Sequence, residues 1–118
     1  MPDGMKIDKS SNVSKCSVEI AGAEGVEIRR LISKNDGARN FAMRMFELAQ
    51  GGHTPLHTHP HEHEVFIVEG EGVIVFEGRE LPFAAEHFVF VPGGKEHCFK
   101  NTGQSILRFL CVIPADAG

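Results

Sequence analysis

The sequence predicts an all-β domain, an antiparallel sandwich or barrel, and three observations predict it. No segment sustains the i, i+3, i+4 spacing of apolar residues that a buried helix face needs. Short runs rich in β-branched and aromatic side chains recur instead, such as Val65-Phe66-Ile67-Val68 and Phe88-Val89-Phe90-Val91. Turn signals separate these runs at intervals of about ten residues. A jelly-roll barrel satisfies all three, because closing or doubling the sheet removes or protects exposed strand edges.

The chain has 118 residues, 42% of them apolar and 24% charged, which suits one soluble domain able to bury a core without disulfide staples. A net charge of −4 excludes a nucleic-acid surface and a polybasic membrane patch, so the expected partner is a small molecule. Cys16, Cys98 and Cys111 are odd in number and lack a C-x-x-C spacing, as expected of reduced thiols in the cytoplasm. No apolar run reaches the ~18 residues of a membrane span, and the polar start has no signal-peptide core.

Residues 1–15, with Pro2, Gly4 and a Lys9-Ser10-Ser11-Asn12 run, are expected to form a flexible tail, and residues 16–118 the domain. Strands are expected over 16–20, 26–33 and 40–48, the last two joined by a turn at Lys34-Asn35-Asp36-Gly37, whose residues cap the backbone or tolerate positive φ. Further strands follow at 65–68, 73–76, 80–83, 87–91, 97–100 and 106–113. Phe46, Phe66, Phe76 and Phe99 are the core candidates among nine phenylalanines in a chain without tyrosine or tryptophan.

Five of the seven histidines fall between His53 and His63, a row of nitrogen donors suited to a divalent metal. His57 and His59 are one residue apart, and a strand turns residues i and i+2 to the same face. Pro60 then removes a ladder donor and breaks the parity, so the direction of His61 and His63 does not follow from that of His59. Downstream, Pro92-Gly93-Gly94 makes a turn that returns the chain for a strand opening with His97.

These residues resemble the two motifs of the cupin superfamily, small β-barrels that hold a metal in the barrel mouth. Gly51, His57, His59 and Gly70 fall on the first, G-x5-H-x-H-x3/4-E-x6-G. Pro92, Gly94, His97 and Asn101 fall on the second, G-x5-P-x-G-x2-H-x3-N, with Glu86 in place of the leading glycine. Where the family usually has a glutamate ligand, counting back from Gly70 gives His63; Glu64 fits only the longer spacing. The favoured set is therefore His57, His59, His63 and His97, similar to the four-histidine cupins that bind manganese, with Glu64 as the alternative fourth ligand.

The resemblance implies a divalent transition metal, manganese first and iron, nickel, copper or zinc next, since imidazole binds them all. It implies a homodimer, and an oxygen-dependent, dioxygenase-like reaction on a small organic substrate. Two alternatives stand beside that reading: a non-redox isomerase or lyase using the metal as a Lewis acid, and a non-catalytic binding module. With no carboxylate on the ion, the role of general base falls to a metal-bound hydroxide or to His53 or His61 beside the site. Otherwise His53, His61 and His87 are expected at the surface, Asn101 in a backbone-bonding role, and Cys98 pointing away from the metal. Arg44 and Arg108 lie in apolar strands, where each either snorkels outward or reaches into the barrel mouth to take a substrate carboxylate.

Overall fold

The computed structural model describes residues 2–118, and its regular structure is β: nine strands, all paired antiparallel, with four single-turn 3-10 segments and no α-helix among the described residues. The strands are β1 (Cys16–Ser17), β2 (Glu24–Ile32), β3 (Phe41–His53), β4 (His63–Glu69), β5 (Glu71–Phe76), β6 (Arg79–Ala84), β7 (Phe88–Val91), β8 (His97–Asn101) and β9 (Leu107–Pro114). Their order across the curled sheet is β6-β5-β8-β3-β9-β4-β7, with β2 and β1 added on β3. Non-sequential neighbours such as β3-β9-β4 are the long crossings of a jelly roll.

Strand β3 runs five residues past the expected end at Leu48, because glycines let it bend rather than stop. Gly51 has φ +78°, and a side chain on Gly52 would meet the Glu24 carbonyl at 2.8 Å. Past that bend β3 leaves β9 and reaches β8, so that His53 pairs with Lys100 on one side and still with Glu24 of β2 on the other. One strand thus serves both halves of the barrel.

Strand parity decides what is inside. Leu107, Phe109, Cys111 and Ile113 of β9, Val65 and Ile67 of β4, and Ala42 and Leu48 of β3 meet in one core with Phe83 and Phe99. Phe46 and Phe76 pack against it from partly buried positions. Phe66 does not: it lies between the inward Val65 and Ile67, so the pleat turns it out to 45% exposure. Glu86 keeps the left-handed backbone of the glycine it replaces, at φ +75°, and its amide bonds the Ile67 carbonyl at 2.9 Å. A side chain thus sits in a conformation that favours glycine, and the turn carries that strain.

The outer face of β2 and β3 holds a charged cluster. Glu47 is buried, yet it meets Arg29 at 3.2 Å, Arg108 at 3.4 Å and Lys15 at 3.5 Å. Burial pulls its carboxyl upward, but the Arg29 hydrogen bond and the charges of Arg108 and Lys15 outweigh that and hold it below the usual range. Arg108 also pairs with Glu69 at 2.8 Å, so it faces outward. The segment before β1 lies over this region: Arg29 donates to the Val13 carbonyl, and Lys6 reaches Asp36 at 2.8 Å.

Candidate metal centre

The two histidine-bearing segments are joined by backbone. His57 and His97 form a mutual bridge, with N–H···O distances of 3.2 and 3.1 Å, and Thr54 pairs with Phe99 in the same way through its amide and hydroxyl. The Gly94 amide donates to the His59 carbonyl at 2.6 Å. Gly93 sits so close to this loop that a Cβ there would lie 2.3 Å from the Pro60 carbonyl oxygen. The Pro-Gly-Gly turn therefore needs its glycines both for the turn itself and for contact with the histidine loop.

Four of the rings face one another at the cavity mouth. Centroids are 4.1 Å apart for His57 and His59, 5.1 Å for His59 and His63, 5.1 Å for His63 and His97, and 5.6 Å for His57 and His97. His61 joins them rather than standing at the surface: it is half-buried, 4.7 Å from His59 and 4.9 Å from His63, and nitrogens of His59, His61 and His63 lie within 4.8 Å of one another. The turn at Pro60 brings it there, which alternation along a strand does not anticipate. Glu64 is exposed and pairs with Phe90 and Val112, away from the rings. His87 is exposed, and His53 lies 3.8 Å from Glu24.

Hydrogen bonds fix which nitrogen His57 and His97 offer. Nδ1 of His57 faces the Pro55 carbonyl at 2.6 Å and Nδ1 of His97 the Lys95 carbonyl at 2.9 Å; a carbonyl only accepts, so both nitrogens carry the proton. Nδ1 of His63 faces the Cys111 sulfur at 3.3 Å. In His57 and His97, Nε2 is then the free lone pair. Nε2 of His57 faces Nε2 of His59, and Nε2 of His63 is buried without a hydrogen-bond partner. A buried ring nitrogen left without a partner beside other imidazole nitrogens is costly, and nitrogens converging in this way fit a divalent ion.

Burial lowers the imidazole pKa values, reinforced by neighbouring rings and by Arg44: His59 falls to about 4 and His63 to about 3, and His61 is lowered by the same causes. These side chains are neutral at physiological pH, the form a metal requires.

Behind the rings lies a cavity of about 310 Å³ walled by Val26, Ile28, Phe46, Phe99 and Phe109, within the size range of small-molecule sites. Arg44 reaches into it, stacking on Phe46 at 4.9 Å and donating to Cys111 at 3.3 Å. Of the two directions open to Arg44 and Arg108, Arg44 takes the inward one. Cys98 faces away from this cavity, and Asn101 is buried at the barrel's side, where Nδ2 holds the Leu48 and Ser105 carbonyls at 3.0 and 2.8 Å.

Residues 44–113 match the cupin domain family, more than half of the chain and both histidine segments. The chain belongs to the cupin family. This cupin is 36% identical over 115 residues to an oxalate-binding protein of Thermotoga maritima, covering 93% of each chain. It is also 36% identical over 75 residues to the 1-methylthio-D-xylulose 5-phosphate methylsulfurylase of Rhodospirillum rubrum, where the match spans 63% of this cupin and 47% of the relative. Among solved structures it resembles the polyketide cyclase RemF of Streptomyces resistomycificus, with a TM-score of 0.88 and 34% identity over 94% of this cupin and 80% of the cyclase. Relatives with such different names share a fold whose chemistry is set by the individual site.

Proposed function

We propose that this cupin holds one divalent transition-metal ion, manganese first, through Nε2 of His57, His59, His63 and His97, and acts with oxygen on a small organic substrate. The observation that carries the reading is the unpartnered Nε2 of buried His63, set among rings whose Nδ1 atoms are already engaged. Iron, nickel, copper or zinc would find the same donors acceptable. When bound, the ion supplies Lewis acidity and, for manganese or iron, a redox centre. The chain's own part is to hold four rings together at one mouth, keep the substrate's body dry against Phe46, Phe99 and Phe109, and offer His61 as a proton carrier beside the site. Its three unpaired thiols support a reducing cytoplasmic setting.

A second reading, non-redox isomerase or lyase chemistry, is favoured by one specific feature. No carboxylate lines the cavity among the described residues, so four neutral donors would leave the ion its full charge for polarising a carbonyl. An oxygen electrode separates the two. Manganese-loaded protein incubated with a panel of small carboxylic and keto acids is expected to consume oxygen, and a His97→Ala variant is expected to lose about 99% of the rate. Equal conversion under nitrogen by zinc-loaded protein would replace the first reading with the second.

We further propose that the protein works as a homodimer through the outer face of β4, β7 and β9. Phe88 is 84% exposed, Phe90 55% and Phe66 45%, and Phe66 pairs in register with both Phe88 and Leu110. Contiguous aromatic surface of this kind is unusual on a monomer. Light scattering after gel filtration is expected to give twice the chain mass for wild type and the single mass for Phe88→Asp with Phe90→Asp. A monomeric wild type at micromolar concentration would end the proposal.

A further inference from the structure

One rung of the sheet crosses the cavity wall. Arg30 of β2 pairs directly with Arg44 of β3, Arg44 with Cys111 of β9, and Cys111 with Val65 of β4. Arg30, Arg44 and Cys111 all line the cavity, and the rung ends beside the histidines, since Cys111 touches both Arg44 and His63 at 3.3 Å. Two guanidinium groups thus stand on directly opposed positions of neighbouring strands, an arrangement that is destabilising unless something negative lies between or beside them.

Nothing in the chain supplies that charge. Among the described residues neither Arg30 nor Arg44 makes an ion pair, no carboxylate lines the cavity, and Nε of Arg44 is buried without a partner. The contrast with the outer face is direct: there Arg29 and Arg108 share Glu47, and Arg108 also holds Glu69. The inner pair is left open.

We propose that Arg44, assisted by Arg30, is the recognition site for the carboxylate of an organic acid whose apolar body lies against Phe46, Phe99 and Phe109; the proposal rests on the metal-dependent reading of the same cavity. A guanidinium presents N–H groups in a planar fork that matches a carboxylate, and the low-dielectric walls strengthen the pairing. Arg44 is held for this role from two sides, by the Phe46 ring beneath it and the Cys111 sulfur beside it. Arg30, exposed at the rim, meets the ligand on entry. An acid bound here would lie next to the histidines that would hold the ion, since both line the same cavity.

The test compares phenylpropionate with phenylpropionamide, which have the same shape and differ in charge, by titration calorimetry on zinc-loaded and chelator-treated protein. Wild type is expected to bind the acid about 10–100-fold more tightly than the amide, the range for a charge-assisted hydrogen bond. Arg44→Gln is expected to erase that preference while retaining one zinc per chain. Arg30→Gln, at an exposed position that leaves the core intact, is expected to reduce it severalfold. Equal binding of acid and amide by wild type overturns the proposal, as does an Arg44→Gln variant and an Arg30→Gln variant that both bind like wild type. Tighter, arginine-dependent binding of phenyl phosphate overturns the carboxylate assignment. Tighter binding of oxalate that is indifferent to both arginines and lost with zinc assigns recognition to the metal alone and overturns it too. An arginine-dependent preference in protein that takes up no zinc supports the arginine assignment and sinks the metal reading instead.

Discussion

His63→Ala is expected to reduce bound metal from about one ion per chain to less than a tenth of that, measured by elemental analysis of protein purified without affinity tag or chelator. Removing a ligand from a site of four typically costs far more than the 10–100-fold lost with an outer hydrogen-bond partner. Three neighbouring substitutions make the result specific. Glu64→Ala is expected to keep full occupancy, because Glu64 is exposed on the opposite face of β4. His61→Ala is expected to keep it as well, since the proposed ligand set is His57, His59, His63 and His97. Cys111→Val is expected to lower affinity by about tenfold, because the sulfur that holds Nδ1 of His63 is gone while the ligand remains. Metal lost in Glu64→Ala and kept in His63→Ala would mean that the longer motif spacing is the operative one. Metal lost in His61→Ala but kept in His97→Ala would move the site to the His59, His61 and His63 group.

Much of this site is legible in the sequence, and what is not has identifiable physical causes. The spacing of His57, His59 and His97 can be read directly, because those positions lie in short extended segments whose backbone pairing, His57 with His97, follows from strand geometry. The placement of Arg44 follows from parity: on β3 it shares the inward face with the buried Ala42 and Leu48. The same parity turns Arg108 outward between Leu107 and Phe109, and it turns Phe66, expected in the core from its aromatic character alone, outward between Val65 and Ile67. Parity fails at His61 because Pro60 breaks the alternation, and only the folded loop shows that ring stacked on His59. Glu47 is hidden for a different reason. It lies on the outer face of β3, where a carboxylate belongs by pattern, but residues before β1 and the side chains of Arg29 and Arg108 cover it. The opposition of Arg30 and Arg44 is illegible as well, because register across two strands depends on the irregularities at both ends of the β2–β3 pairing.

Chelator-treated protein is expected to lose stability steeply between pH 6.5 and pH 5, where most carboxylates have not begun to titrate. The sign follows from the direction of the shifts. His63 and His59 titrate near 3 and 4 in the folded protein and near 6.5 when exposed, chiefly because burial disfavours the imidazolium and then because the neighbouring rings repel it. Between those values the unfolded chain binds protons that the folded chain refuses, so folding weakens as pH falls through 6.5 and these two groups contribute no slope above it. For His63 the loss over this window is about 1.5 kcal/mol; half-buried His59 contributes less, because solvent screens it. Guanidinium melts at four pH values measure the slope, and a His63→Gln variant, which cannot take up the proton, is expected to flatten it by about that amount. An unchanged slope in His63→Gln would show that this ring is protonated in the fold as readily as in water, contrary to a buried Nε2 lone pair. Saturating zinc is expected to shift all four wild-type melts upward by mass action and to leave His63→Gln nearly unmoved. That comparison links the proton and the metal to the same nitrogen, since a lone pair kept from protons by burial is the one an ion would take.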